Sequence, residues 1–236
     1  MNELIAMHGW GVDSRIWSYW EKEFKKKGWI WKNGERGYWN QPTHNPQWTK
    51  LFKQKSSIKR VFLGHSLGPH LIDKEVLEQA TDIIFLGSFS SFITTEKNSR
   101  IIKTALLKMQ KSIGTIHEKQ MLQSFLLKVN QPNQETNAIK MPLQESITNE
   151  GRLKLQQDLE FLSRTEELPK GLQHKAKVLV IEGLQDQIVS LEARVKFIKD
   201  LSKLLKEPPT HWELHNQGHN LIIPDLIDRI TTWLET

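Results

Sequence analysis

Apolar residues along the chain follow two spacings, and their succession orders the elements. Leu4 to Met7, Trp29 to Trp31, Val61 to Leu63, Ile83 to Leu86 and Val178 to Ile181 are short apolar runs that end in glycine or polar turns, as buried strands do. His211 to Leu214 alternates and predicts one more strand. Ile16, Trp17, Trp20 and Phe24 recur at helical spacing within Ser14 to Lys27, whose lysine-rich end suits the negative pole of a helix dipole, and Gly28 stops that helix. Pro46 to Lys55 predicts a further helix with its proline in the first turn, and Pro69 also falls early enough in a helix to be tolerated. Leu191 to Leu205 is amphipathic and stops before Pro208-Pro209, and Ile222 to Leu234 predicts a closing helix.

The pattern changes between Ser88 and about Gly171, where the apolar residues keep helical spacing without a convincing strand. Ile101, Ile102, Ala105, Leu106 and Met109 are expected on one helix face, with Lys97, Arg100, Lys103, Lys108 and Lys111 on the other. Helices are also expected over Glu118 to Val129 and from Gly151 to about Arg164, with Asn130 to Pro142 as a polar connector. Strands resume on either side of this interval, so residues 1–87 and 172–236 read as an α/β core and residues 88–171 as a helical cap inserted into it.

The chemistry concentrates where the strand Val61 to Leu63 runs into Gly64-His65-Ser66-Leu67-Gly68. This G-x-S-x-G pattern is that of a nucleophile elbow, a sharp strand-to-helix turn with an exposed serine, although a chance glycine-rich turn shares it. His8-Gly9-Trp10-Gly11 ends the first strand, where backbone N–H groups can face a substrate oxygen; the other reading is a plain β-turn with a core tryptophan. Asp186 follows a late buried strand, where a triad acid would sit, or else serves as a turn residue or helix N-cap. His219 lies beside Gly218 in a loop, whereas His8, His65 and His215 are poorly placed to be the shared base. The order Ser66, Asp186, His219 is the one expected of a serine, acid and histidine triad, with the Trp10 and Leu67 N–H groups as an oxyanion hole.

Composition narrows the setting. The 236 residues suit one large α/β domain, and the absence of cysteine removes disulfides, thiolate metal sites and cysteine nucleophiles. No metal or organic cofactor is required by the serine chemistry. A formal charge of +6 favours an acidic partner, but no nucleic-acid-binding motif accompanies it. Neither a signal peptide nor a membrane span is read from the sequence, so a cytoplasmic monomer is expected.

HGWG, ERGYW (Glu35 to Trp39), GHSLG, Gly183 to Asp186 and Gly218-His219, all in order, resemble the α/β-hydrolase superfamily over the whole chain. Within it the chain is most similar to the carboxylesterases of biotin synthesis that demethylate pimeloyl-[acyl-carrier protein] methyl ester. The matches are His8 to Gly11, Ser66 to Gly68, Ser124 to Leu127 and Leu155 to Leu168. The resemblance implies an α/β-hydrolase fold with about six mainly parallel strands, helices on both faces and a helical cap, lacking the antiparallel hairpin that opens many such sheets. It also implies Ser66, Asp186 and His219 as the triad, Trp10 and Leu67 as the oxyanion hole, and Phe125 lining an acyl channel beside Trp10. Pro69 departs from a frequent glycine, and the arginines that dock the carrier protein in the relatives have no counterparts position by position. In their place Glu96 to Lys128 carries seven basic residues against two acidic ones, and Arg100, Lys103 and Lys111 are the candidate docking residues, with a solvated helix face as the other reading. A small-ester esterase, a carbon-carbon bond hydrolase and a binding protein without turnover stay open beside the carrier-protein esterase.

Overall fold

The computed structural model describes residues 2–50, 58–94, 99–133, 139 and 147–236. Six strands form one sheet: β1 (Glu3–Met7), β2 (Ile30–Gly34), β3 (Arg60–His65), β4 (Asp82–Leu86), β5 (Lys177–Gly183) and β6 (Thr210–Leu214). Their order is β2-β1-β3-β4-β5-β6, and every neighbouring pair is parallel. After β2 the chain returns to the far side of β1, so β1 and β3 flank a topological switch point. In open α/β sheets ligands bind outside the carboxyl ends of strands at such a point. Met7 pairs with Gly64, which brings the HGWG turn and the serine elbow side by side there.

Helices cover both faces because the strands are apolar on both. Leu4 and Ala6 of β1 face a cluster that includes Trp17, Trp20 and Phe24 around α1 (Ser18–Lys26) and Leu226 and Ile230 of α8 (Leu226–Glu235). Ile5 and Met7 face the opposite cluster, with Val76 and Leu77 of α3 (Lys74–Glu78) and Phe197 and Leu201 of α7 (Leu191–Leu204). Between β4 and β5 the described residues form three helices and no strand: α4 (Ser99–Ser112), α5 (Glu118–Asn130) and α6 (Asn149–Arg164). Thr148 caps α6 by accepting from the Gly151 N–H, so this helix starts two residues before the expected Gly151.

Polar ties fix this layer to the sheet. Arg36 donates a fork of two 2.7 Å hydrogen bonds to the buried Asp158 of α6, and the Tyr38 hydroxyl donates to the same carboxylate at 2.6 Å. Trp10 Nε1 donates to the Leu155 carbonyl of α6 at 3.0 Å. At the other end the Asn220 N–H donates to the Val129 carbonyl of α5 at 3.0 Å.

Two expectations change. No helix forms over 46–50, and residues 51–55 of the expected Pro46 to Lys55 helix lie outside the described residues. Instead Trp48 is buried with Nε1 donating to the Val76 carbonyl, and the Thr49 N–H donates to Glu3, so tertiary anchors override helical propensity. The closing helix begins at Leu226 rather than Ile222, because Pro224 disfavours helical backbone at Ile223. The helix after the elbow, α2 (Gly68–Leu71), is a single turn, so little of a macrodipole stands behind the serine. The connector beyond Asn133 lies outside the described residues apart from Ile139 and from residue 147 onward.

Asp158→Asn keeps the volume of the buried carboxylate but sets an amide against the Arg36 fork. It is expected to lower the free energy of unfolding by about 2–3 kcal/mol. Urea denaturation of the two proteins measures this, and equal midpoints would mean that the Arg36 tie does not hold α6.

Candidate active site

Ser66 follows β3 directly and has φ 55°, the one positive value for a non-glycine residue among the described residues. Left-handed backbone costs a residue with a Cβ on the order of 1 kcal/mol or more, so the surrounding structure must enforce it. The flanking glycines show how. A Cβ on Gly68 would run into the Met7 and His8 carbonyl oxygens, and one on Gly64 would overlap the Pro69 ring. Pro69 is thus accommodated in the first turn of α2, where no N–H is needed.

The elbow aims Ser66 at His219. His219 Nε2 lies 2.9 Å from Ser66 Oγ, and His219 Nδ1 lies 2.8 Å from Asp186 Oδ2. A carboxylate only accepts, so Nδ1 carries the proton and Nε2 is left to accept from the serine hydroxyl. The other Asp186 oxygen accepts the N–H groups of Ile188 at 2.7 Å and Val189 at 3.0 Å. Burial pushes the Asp186 pKa up, but His219 and these two donors outweigh it and hold the carboxyl below its ordinary value. Asp186 is not a helix cap, since Ser190 caps α7. His219 is 1% exposed and Ser66 8%, so the pair is dry but reachable.

Neighbours position this line. Ser88 Oγ donates to the Ser66 carbonyl at 2.9 Å, and His65 Nε2 donates to the His219 carbonyl at 3.0 Å. Arg194 of α7 donates to the Gly183 carbonyl at 3.1 Å, bracing the turn that carries Asp186. Of the competing histidines, His8 is buried with Nε2 3.2 Å from Glu35, and His215 falls just after β6, where among the described residues only its carbonyl is bonded, by Gln185.

Ser66 opens on a cavity of about 490 Å³ between the sheet and α4, α5 and α6. Trp10, Leu67 and Phe125 all line it, and Phe125 meets Trp10 edge to face at a ring separation of 5.0 Å. Neither the Trp10 nor the Leu67 main-chain N–H has an acceptor among the described residues, as groups reserved for an incoming oxygen would not. Phe92, Met109, Met121 and Leu162 make the wall apolar, and Lys108 and Lys128 are the only charged side chains among its described lining residues. A second hollow of about 600 Å³, around His70 and Arg164, touches none of Ser66, Asp186 and His219.

Sequence reasoning set Lys108 opposite the apolar face of α4, but Lys108 lines the cavity together with Ile101 and Ala105. The spacing from 101 to 105 to 108 is itself helical, and this second stripe was there to be read. Lys128 likewise shares a face with Ser124, four residues before it. Of the candidate docking residues, Arg100, Lys103 and Lys111 are all exposed and none lines the catalytic cavity; Glu96 and Lys97 lie outside the described residues. His65 and Ser88 act through backbone carbonyls, for which the sequence carries no signal.

No family model matches the chain, and no curated protein matches it by sequence. Among solved structures, an esterase from Exiguobacterium antarcticum superimposes with a TM-score of 0.70 at 12% identity, over 100% of this chain and 92% of that one. The fold is that of the α/β-hydrolases. A structure from a study of carboxylesterases of Nitrososphaera gargenis gives 0.63 at 14% identity, covering 99% and 90%, and a bromoperoxidase from Bacillus anthracis 0.61 at 12%, covering 100% and 92%. At identities this low the likeness is one of architecture.

The buried His65 has a pH consequence. Burial, reinforced by the neighbouring His219, lowers its pKa from an ordinary 6.5 to about 3. Between those values the unfolded chain binds a proton that the folded one refuses, so stability falls with falling pH below about 6.5. His65 is expected to cost about 2 kcal/mol between pH 7.5 and pH 5. Urea midpoints at the two pH values measure the loss, and His65→Gln should reduce it; an identical loss in that variant would assign it to other groups.

Proposed function

We propose that the protein is a serine carboxylesterase working through an acyl-enzyme on Ser66. The observation that carries this reading is the hydrogen-bonded line from Asp186 through His219 to Ser66, opening on an apolar cavity. Ser66 Oγ attacks the ester carbonyl carbon while His219 Nε2 takes its proton, and the tetrahedral oxyanion forms against the Trp10 and Leu67 N–H groups. His219 then gives the proton to the departing alkoxide, which leaves as an alcohol. Water, deprotonated by the same nitrogen, attacks the acyl-enzyme, and the acid leaves as Ser66 regains its proton. Asp186 keeps the proton on Nδ1 throughout and stabilises the transient imidazolium.

The substrate we infer is the methyl ester of pimeloyl-[acyl-carrier protein] in biotin synthesis, so that the alcohol released is methanol. Three features support it: the motif resemblance, Phe125 beside Trp10 on the cavity wall, and the exposed cations Arg100, Lys103 and Lys111 on α4 as a face for an acidic carrier. A small free ester is the second reading, favoured by the largely apolar cavity wall and by the esterase from Exiguobacterium antarcticum among the structural likenesses.

Ser66→Ala is expected to reduce turnover of a short model ester by up to about 10⁶-fold, and Asp186→Asn by about 10⁴-fold, since the second disturbs the base but spares the nucleophile. Wild-type rates in the Ser66 variant would overturn the mechanism.

The substrate is tested by kcat/KM against ionic strength, with the same acyl group on carrier protein and as a free methyl ester. Arg100→Glu/Lys103→Glu should slow only the carrier-bound ester and flatten its salt dependence, because screening lengths fall from about 10 Å at 0.1 M to about 3 Å at 1 M. Matching salt curves for both substrates favour the small ester, as does failure to rescue a biotin auxotroph that lacks its own esterase.

A further inference from the structure

The catalytic cavity does not end in bulk protein. A second cavity, of about 420 Å³, lies between α4 and α6, and Leu106 of α4 and Leu159 of α6 line both. These two side chains are buried, at 7% and 2% exposure, and belong to the main apolar cluster. On the Ser66 side the wall is apolar, with Met109 and Leu162 next to the pair. On the far side the lining turns polar, with Lys103, Gln110, Ser163 and Arg164. A pair of leucines thus stands between a mostly apolar chamber that holds Ser66 and a more polar one that does not.

We propose that Leu106 and Leu159 are the acyl-length gate of this enzyme: an apolar acyl group fills the chamber in front of them, and longer chains are refused there. This rests on the esterase reading. The physical basis is that each methylene transferred from water to an apolar wall strengthens binding roughly fourfold. That gain continues only while apolar space remains, and an over-long chain must displace close-packed side chains. Cutting either leucine to alanine joins the two chambers and gives the chain somewhere to go. The outer chamber's cations, Lys103 and Arg164, then meet the tail of a long acyl group, with Arg164 already paired to Glu160.

The test is the ratio of kcat/KM for p-nitrophenyl decanoate to that for the butyrate, taken within each variant so that general damage cancels. Leu106→Ala and Leu159→Ala should each raise the ratio at least tenfold over wild type, and Leu106→Phe, which thickens the wall, should lower it. Ratios within twofold of wild type in both alanine variants, with unchanged circular dichroism, would overturn the gate. Should one alanine variant fail to fold, the other together with Leu106→Phe still decides, since the two must move in opposite directions. Binding of cis-parinaric acid, followed by its fluorescence in Ser66→Ala, reads the same wall without turnover. It should be tighter in Leu106→Ala/Ser66→Ala than in Ser66→Ala alone, and equal affinities count against the gate. If the wild type cleaves neither ester, the esterase reading fails, and the fatty-acid arm still judges the gate separately.

Discussion

The structure depends on one close approach, that of the serine elbow to the end of the first strand. Ser66 holds a left-handed backbone that its side chain disfavours, and it does so because Gly68 lies against the Met7 and His8 carbonyls where no Cβ fits. The same contact sets the HGWG turn beside the nucleophile, so the serine and the Trp10 N–H share one side of the switch point between β1 and β3. The strain at Ser66 is sustained by the parallel pairing of β1, β3 and β4, and the Ser66 N–H itself donates to the Leu86 carbonyl of β4 at 2.9 Å. Ser66 is thus placed against His219 by the sheet itself, without any rearrangement.

The histidine and its acid reach the elbow by different means. Asp186 sits just after β5 and is held by backbone donors of its own loop, so its position is a local property of the turn. His219 lies in a longer stretch without regular structure and is held from outside, by His65 through its carbonyl and, at its neighbour Asn220, by the end of α5. The Asn220 side chain donates to Asn130 Oδ1 at 3.1 Å, and Asn130 in turn bonds both main-chain groups of Ile139. The helical layer is therefore tied to the His219 loop as well as lining the cavity before Ser66.

Much of this was legible in the sequence, for physical reasons. Buried parallel strands must be continuous apolar runs, and five of the six stood out as such; β6, at the sheet edge and half exposed, showed as alternation instead. The elbow was legible because glycine is obligatory where backbones touch. The order of serine, acid and histidine was legible because each follows a strand readable in the sequence, Ser66 directly and Asp186 and His219 after a loop. What escaped were features decided by distant partners. Trp48 looked helical until its indole found the Val76 carbonyl, and Lys108, though exposed, lines the cavity because α4 is set over it. Asp158, buried under Arg36 and Tyr38, carried no mark distinguishing it from the other acids of α6.

The burial of Asp158 explains how the layer of α4, α5 and α6 can be largely polar in sequence yet tied to the sheet. A fork from Arg36 and a hydroxyl from Tyr38 satisfy the carboxylate, and both donors follow directly from the Glu35 turn at the end of β2. That turn is itself pinned: Glu35 accepts the Ser14 and Gly37 N–H groups, and His8 and these donors outweigh burial to lower its pKa to about 2. His8 precedes Gly9 in the HGWG turn, so the strand end that lies beside Ser66 also anchors the loop that holds α6. The cavity wall and the chemistry it faces are in this way fixed by one set of contacts at the carboxyl ends of β1 and β2. With α6 held by the Arg36–Asp158 ion pair and α5 by the His219 loop, α4, with its exposed Ile101 and Leu107, has the fewest polar ties to the sheet among the described residues.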